Sequence, residues 1–397
     1  MFIIIGAATL MLPIAIFALL GLSGLMFAND VTDDDDTREP APDENPDTTP
    51  VDSIYDEPEI DPETGALLVA PSQVVQGTDE GDVFNLVEGA DYYGDYDSEA
   101  NQYTGAVTVD AGAGDDVIDF DEPTGNLAGD FFIIDSALNG GAGNDAIDAF
   151  GQDLSITGDE GDDTLYIRGG SSYLFGGAGD DTLRGDVVST DASAFYGGSG
   201  DDTLDARGMD NVALYGEAGN DTILTSEHGP DGTGYVVRAD GGEGDDRLIH
   251  EAPEQGWSSG RPTLIGGEGS DSFEVTIVDC ASDPTNSDPM PGDIEQSDVV
   301  ILGDFDRDED TLQITLNVSD PGYSVTSAEI VEQPYPTGVV ASGTPVYATE
   351  SRINVTYEHD TENDRQMTIV VRGDTGLTWD DVTFVGDHQP PVLQPLV

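Results

Sequence analysis

The stretch Gly140–Asp205 decides the fold, because one nine-residue pattern returns in it four times. The copies are Gly140–Asp148 (GGAGNDAID), Gly158–Tyr166 (GDEGDDTLY), Gly176–Arg184 (GGAGDDTLR) and Gly197–Asp205 (GGSGDDTLD). Looser copies are Ala111–Asp119, Gly216–Leu224, Gly241–Ile249 and Gly266–Glu274. Aligned, the copies read G-G-x-G-x-D-x-U-x, where U is apolar. A short pattern repeated in this way predicts stacked structural units that share one core.

Each position of the pattern has a physical role. Glycine at the first, second and fourth places tolerates positive φ, so the chain can turn tightly and expose its carbonyl groups. Asp at the sixth place adds a carboxylate, and calcium takes about six to eight oxygen ligands of these two kinds. The apolar eighth residue is expected to point into a core from a short strand. The predicted core residues are Ile118, Ile147, Leu165, Leu183, Leu204, Ile223, Leu248 and Phe273.

In these copies the sequence resembles the hemolysin-type, or RTX, calcium-binding repeat family of bacterial secreted proteins. The resemblance implies a parallel β-roll in which ions lie between neighbouring coils, held by Asp side chains and turn carbonyls. The implied carboxylate ligands are Asp116, Asp145, Asp163, Asp181, Asp202, Asp221, Asp246 and Asp271. The glycines implied at the metal sites are Gly112, Gly114, Gly141, Gly143, Gly161, Gly177, Gly179, Gly198, Gly200, Gly219, Gly242, Gly244, Gly267 and Gly269. A flexible acidic linker is the alternative, but it gives no reason for Asp and an aliphatic residue to stay in register.

The spacing of the copies predicts that calcium binds mainly along one edge of the roll. Copies start at positions 111, 140, 158, 176, 197, 216, 241 and 266, so the steps between starts are 29, 18, 18, 21, 19, 25 and 25. The shortest step corresponds to two nonapeptides, or one coil. The second nonapeptide keeps its apolar strand but has Leu154 or Ser172 at the Asp place. We therefore expect several Ca²⁺ ions on the first edge only.

The predicted fold class is all-β: an RTX-type parallel β-roll with a C-terminal antiparallel β cap, preceded by an N-terminal apolar helix and a disordered acidic linker. The predicted segments are a transmembrane anchor or signal (1–28), an acidic Pro/Thr linker (29–68), an N-terminal cap with a degenerate opening repeat (69–110), the calcium-binding roll (111–280) and the C-terminal β cap (281–397).

Two further segments carry weaker versions of the calcium pattern. In the opening repeat Asp82 stands at the Asp place, but Glu80 replaces the fourth-position glycine. Near the C-terminal end, the alternating acidic residues from Asp304 to Asp310 resemble the start of an EF-hand. Glu309 and Thr315 stand where that motif needs Gly and Glu, so an EF-hand is not expected and a single extra ion is the remaining alternative.

The apolar stretch Phe2–Ala28 is long enough to span a bilayer, which takes about 20 residues. A cleaved signal peptide normally begins with basic residues and ends in a small-x-small site; this segment begins without Lys or Arg, and Met26-Phe27-Ala28 is a poor cleavage site. A retained anchor and a cleaved signal both stay open. With the family resemblance, this segment predicts an extracellular or cell-surface protein of a bacterium, tethered to the membrane through residues 2–28 if the segment is retained.

The charge balance excludes some classes of partner. The chain has 82 acidic residues against 11 basic ones, all of them arginine, and a net charge of −71. Nucleic-acid binding needs a basic surface, so it is not expected. The single cysteine, Cys280, allows no internal disulfide. Calcium is the expected partner, together with an extracellular glycan or a cell-surface molecule.

The sequence carries no recognisable catalytic motif. His250-Glu251 is followed by Ala-Pro-Glu rather than by the rest of H-E-x-x-H, and G-x-S-x-G does not occur. We therefore predict a non-enzymatic calcium-binding protein that folds on calcium and has a structural, adhesive or matrix role. The alternative is a hydrolase or lyase that acts on polysaccharide through carboxylates in a groove along the solenoid.

Overall fold

The structure is a computed structural model. It describes residues 59–86, 96–97, 102–103, 106–120, 133–186, 192–207, 209, 211–226, 238–251, 262–278, 295–318, 322–339, 345–359, 364–373, 376–386 and 388–393. Every regular element within these ranges is a β-strand, which confirms the all-β prediction. The predicted apolar helix and most of the acidic linker lie outside them. Over the described ranges, no helix is long and apolar enough to cross a membrane.

The strands of the first half of the chain are β1 (Glu59–Ile60), β2 (Leu67–Val69), β3 (Val74–Gln76), β4 (Val83–Leu86), β5 (Tyr96–Asp97), β6 (Gln102–Tyr103), β7 (Thr108–Ala113), β8 (Val117–Phe120), β9 (Ile133–Ile134), β10 (Ala137–Ala142), β11 (Ala146–Gln152), β12 (Ser155–Glu160), β13 (Thr164–Gly170), β14 (Tyr173–Ala178) and β15 (Thr182–Gly185). Those of the second half are β16 (Ser193–Ser199), β17 (Thr203–Asp205), β18 (Val212–Ala218), β19 (Thr222–Ser226), β20 (Arg238–Glu243), β21 (Arg247–Glu251), β22 (Thr263–Glu268), β23 (Ser272–Val278), β24 (Glu295–Phe305), β25 (Thr311–Asn317), β26 (Tyr323–Val339), β27 (Pro345–His359), β28 (Arg365–Gly373) and β29 (Val382–Val385).

From β10 to β25 successive strands alternate between two sheets, and β5 and β6 form a separate antiparallel pair. Sheet 1 has the order β3-β7-β10-β12-β14-β16-β18-β20-β22-β24-β28-β27-β26. Sheet 2 has the order β1-β2-β4-β8-β11-β13-β15-β17-β19-β21-β23-β25-β29, with β9 also paired to β11. Neighbouring strands from β7 to β25 are parallel and in register, as in the pairs Ile156↔Leu174 and Leu165↔Leu183. Parallel strands in two stacked sheets are the arrangement of a β-roll.

The core lies between the two sheets and is built by the predicted residues. Along β11 and β13 buried and partly exposed residues alternate, as expected for strands that turn one face to a core. All eight eighth-position residues are at most 2 % exposed, which confirms them as core. The second half of each coil adds its own row, represented by Ile156, Leu174, Phe195, Leu214 and Leu264, all fully buried.

The ends of the roll differ from the predicted boundaries. The antiparallel pair β1–β2 begins at Glu59, inside the predicted linker. The predicted C-terminal cap is only partly antiparallel, because β24 and β25 continue sheets 1 and 2 as parallel strands. These strands keep the alternation of buried apolar residues, as in Leu312 and Ile314, so they extend the ladders of the two sheets. Antiparallel pairing is found among β26, β27 and β28.

We predict that Leu183→Ala will lower the free energy of unfolding in calcium by about 2–5 kcal/mol, because a large side chain is removed from a close-packed interior. Thr182→Ala is the matched control, since Thr182 is the exposed neighbour on the same strand. Urea titration of both variants measures the difference. Equal midpoints for the two variants would contradict the placement of Leu183 in the core.

Candidate metal centre

The sixth-position aspartates form a continuous column at the turns that lead from sheet 1 to sheet 2. The backbone N–H of each aspartate donates a hydrogen bond of 2.7–2.9 Å to Oδ1 of the aspartate in the following coil. All eight side chains are at most 2 % exposed. The residues in this column are Asp116, Asp145, Asp163, Asp181, Asp202, Asp221, Asp246 and Asp271. The structure therefore brings every predicted carboxylate together.

The second oxygen of these carboxylates has no donor. Among the described residues, Oδ2 accepts no hydrogen bond in seven members of the column, and it is buried in each of them. These members are Asp116, Asp145, Asp163, Asp181, Asp202, Asp221 and Asp246. A buried carboxylate oxygen without a partner is strongly unfavourable. A hard cation beside each Oδ2 would remove that penalty.

The predicted glycines provide the backbone that such an ion needs. All fourteen second- and fourth-position glycines among the predicted site residues have φ between 103° and 145°, a range that favours glycine. The coils also stack too closely for side chains at these places. A Cβ added to Gly141 would collide with the carbonyl oxygen of Gly112, and one added to Gly143 with that of Gly114. Turn carbonyls and Oδ2 atoms are both oxygen donors of the kinds that calcium prefers.

The first-position glycines differ from the prediction, because their φ angles are not positive. Glycine is required at the first position because there is no space for a side chain. A Cβ on Gly158 would collide with Oδ2 of Asp163 and would lie 2.6 Å from the carbonyl oxygen of Gly176. Glycine at this place therefore makes room for the carboxylate of its own repeat, not for a left-handed turn.

Burial raises the pKa of the whole column. The pKa of Asp163 and Asp202 is raised to about 7, mainly by removal from water; one amide hydrogen bond lowers it and neighbouring carboxylates raise it. The pKa values of Asp116, Asp181, Asp221, Asp246 and Asp271 rise to about 6 for the same first cause. The pKa of Asp145 is also raised, again mainly by burial. A row of ionised carboxylates is thus unstable here without positive charge.

A second column was not predicted from the sequence. The fifth-position residues Asp115, Asn144, Asp162, Asp180, Asp201, Asn220 and Asp245 accept hydrogen bonds of 2.8–3.1 Å from the fifth-position amide of the following coil. This ladder is exposed and runs opposite to that of the sixth position, where the acceptor belongs to the following coil. The signal was present in the alignment, because the fifth place is Asp or Asn in seven copies and Ser270 in the last.

The other edge of the roll has no equivalent carboxylate column in the described residues. At the predicted Asp places, Leu154 and Ser172 are both buried. The Ser172 hydroxyl accepts the Leu154 amide at 3.2 Å and donates to the Gly170 carbonyl at 3.1 Å. At these residues this edge is closed by apolar and hydroxyl groups.

The sixth-position column extends beyond the eight repeats at both ends. The Asp82 amide donates to Oδ1 of Asp116 at 2.6 Å, and the Asp271 amide donates to Oδ1 of Asp310 at 2.9 Å. Oδ2 of Asp82 accepts the Thr78 amide, and Oδ2 of Asp310 accepts the Asp306 amide. Because both oxygens of Asp310 accept amides, this residue ends the column as a backbone cap.

We predict opposite effects of Asp181→Asn in chelator and in calcium. Asparagine keeps the oxygen that accepts the Asp163 amide and removes a buried charge, so the free energy of unfolding in chelator should rise. In calcium the variant should be less stable than the parent, since it loses an anionic ligand. Asp186→Asn is the control, because Asp186 is exposed in the last described position after β15. Circular dichroism compares the folded fractions of the variants in chelator, and denaturant titration compares their stabilities in calcium; a change of one sign in both would contradict the prediction.

The raised pKa values also predict a dependence on pH that calcium reverses. The unfolded carboxylates have a pKa near 3.8 and the folded ones near 6 to 7, so the calcium-free fold binds more protons than the unfolded chain. Its stability should be greatest below pH about 4 and fall as pH rises through 6 and 7. In calcium, protons compete with the ion, so stability should fall when pH drops below about 6. Thermal unfolding with and without chelator measures both trends; parallel trends would contradict the assignment.

Comparison with known proteins agrees with this geometry. The family model of the RTX calcium-binding nonapeptide repeat matches four copies, at residues 103–122, 157–187, 192–208 and 196–227. The matched ranges contain Asp116, Asp163, Asp181, Asp202 and Asp221. No curated protein and no solved structure matches the chain. These ranges of the chain therefore carry the RTX calcium-binding nonapeptide repeat, as the nonapeptides indicated.

Proposed function

We propose that this protein binds several calcium ions between the turns that join sheet 1 to sheet 2. The observation that carries the proposal is the column of buried sixth-position aspartates whose Oδ2 atoms have no donor among the described residues. These aspartates would supply the charge, and the carbonyl groups of the second- and fourth-position glycines would complete the oxygen shell. Bound calcium supplies positive charge at Oδ2; the chain supplies the spacing, through turns that repeat in register.

The ions are proposed to lie along one edge of the roll. Leu154 and Ser172 give the opposite edge neither a carboxylate nor an unpartnered buried oxygen. A roll with ions on both edges would need acidic residues at these places. Calcium therefore acts as a single row of links, one between each pair of neighbouring turns.

We infer that calcium drives folding of the repeat region. The net charge of −71 opposes compaction, and the column places ionised carboxylates next to each other in a dry environment. Each ion present at ten times its Kd adds about 1.4 kcal/mol of stability by linkage, and the contributions of several sites add up. Extracellular fluids contain enough calcium for sites of moderate affinity, whereas the cytoplasm does not.

A structural, adhesive or matrix role outside the cell fits these properties better than catalysis. Catalytic carboxylates usually stand out as strongly perturbed groups in a cleft. Within the described ranges, the carboxylates with raised pKa belong to the Gly-rich turns or to the turn Asp304–Asp310 that closes the column. Their periodic placement serves the stacking of coils. We therefore propose a non-enzymatic protein of the cell surface or the extracellular space, where a glycan or another surface molecule is the partner.

Calcium dependence of folding is the test of this function. We predict that the chain in excess EDTA will lose most of its β signal in circular dichroism and regain it in millimolar calcium, with magnesium at the same concentration ineffective. Magnesium demands a small octahedral shell with several waters, which these turns do not suit. An unchanged β spectrum in EDTA would overturn the proposal that calcium drives folding.

A further inference from the structure

One histidine lies inside the roll, in a row where other coils carry apolar or hydroxyl side chains. His250 stands on the inward face of β21 and is 0 % exposed. In the ladder of sheet 2 it pairs with Thr225 on β19 and with Val275 on β23. In earlier coils the same inward place is held by Phe120, Ala149 and Ile167. His250 is therefore the one ionisable side chain in this row of the described core, and calcium binding at the turns makes no use of it.

Two hydrogen bonds determine which ring nitrogen of His250 carries the proton. The Thr225 hydroxyl donates to the carbonyl oxygen of Ile249 at 3.2 Å. A hydroxyl has one proton to donate, so Oγ1 of Thr225 can only accept at its 3.1 Å contact with Nδ1 of His250. Nδ1 therefore carries the proton of the neutral ring, and Nε2 keeps a lone pair. Among the described residues, Nε2 has no hydrogen-bond partner.

A proton added to Nε2 would meet no counter-charge in the described core. The inward-facing residues of β19, β20, β22 and β23 are not titratable, and they include Ile223, Thr225, Ala239, Leu264, Phe273, Val275 and Ile277. The charged residues of these strands and of β21 lie in the outer rows or at the turns, and they are Arg238, Asp240, Glu243, Arg247, Glu251, Glu268 and Glu274. The sixth-position aspartates precede the opposite ends of β19, β21 and β23. A charged ring would thus stand alone among apolar side chains.

The cost of that charge falls on folding. Burying an ionised side chain without a partner is strongly unfavourable, and burial accordingly lowers the pKa of His250 from 6.5 to about 4. In the unfolded chain the ring is in water and takes up a proton near its ordinary pKa. Between these two values the unfolded chain binds more protons than the folded roll. Stability therefore falls as the pH drops below about 6.5, and the loss is complete near a pH of about 4.

We propose that His250 is an acid-sensitive switch that opens the coils around β21 and acts independently of the calcium sites. Each coil of a solenoid contacts only its neighbours, so a penalty in one core row acts on the strands beside it. Those strands are β19, β21 and β23. Opening brings Nε2 into water, where it takes up the proton that the closed roll refuses. In calcium the roll is closed at neutral pH, and in acid it opens first at these coils.

Urea titration of the full chain in calcium, at pH 8 and at pH 5.5, tests the switch. Val275 occupies the same place in the next coil, so His250→Val removes the titrating ring and keeps an apolar row. The calcium ligands and the other titrating groups are common to both proteins, and their effects cancel in the ratio of the two unfolding equilibrium constants. Between the two pH values this ratio should change about tenfold, with the parent losing stability in acid. A ratio that does not change with pH would overturn the proposal.

Val275→Ala is the matched control, because it alters packing in the same core row without removing a titrating group. Its stability should differ from that of the parent by the same factor at both pH values. A tenfold change with pH in this variant as well would assign the effect to core packing and overturn the proposal.

Hydrogen exchange at pH 5.5 in calcium locates the opening. The amides of β19, β21 and β23 should be less protected in the parent than in His250→Val, whereas those of β11 and β13 should be equally protected in both proteins. Equal protection of β19, β21 and β23 in the two proteins would also overturn the proposal.

Discussion

The fold depends on the buried carboxylates of the sixth-position aspartates, which need a positive charge beside them. Each sixth-position aspartate uses Oδ1 to hold the amide of the preceding coil, and this contact turns Oδ2 into the dry space beside the first glycine. The hydrogen bond fixes the position of the coil, and the same geometry leaves an unpartnered negative oxygen. The hydrogen bond that positions the coils therefore cannot form without leaving an unpartnered negative oxygen. A requirement for a cation is built into the way that the coils stack, not added to a finished fold.

The two columns of Asp and Asn residues explain how the turns stay in register. At the sixth position the acceptor belongs to the following coil, as in Asp145 to Asp163, and at the fifth position it belongs to the preceding coil, as in Asp162 to Asn144. Neighbouring turns are thus joined in both directions by side chains that are adjacent in sequence. A slip by one residue would exchange a buried acceptor with an exposed one. The register is specified by polar groups at the turn as well as by the apolar residues between the sheets.

The sequence was most informative where one residue type has one physical reason to be there. Asp163 and Leu165 could be assigned to the turn and to the core because carboxylate and aliphatic groups recur at fixed places, and the structure puts them there. The first-position glycines were placed correctly but explained wrongly, since crowding and positive φ both select glycine. The continuation of parallel pairing into β24 and β25 was missed, because their alternation of apolar residues does not distinguish parallel from antiparallel partners.

Under the proposed function, a one-sided placement of ions also explains where the repeats vary in length. The sixth-place aspartate follows the first place at the same distance in all eight copies, so the turn that holds the carboxylate never changes length. The longer coils add their extra residues after the sheet 2 strand, as between the end of β15 at Gly185 and the start of β16 at Ser193, or between Ser226 and Arg238. An ion between two turns needs both at a fixed separation, and an insertion there would move its ligands apart. The opposite edge is held by hydroxyl groups and apolar side chains such as Ser172 and Leu154. These contacts do not require the connecting segments at that edge to keep a fixed length. Under the proposed function, calcium confines sequence variation to one edge of the roll, and segments that recognise partners can change there without disturbing the coils that carry them.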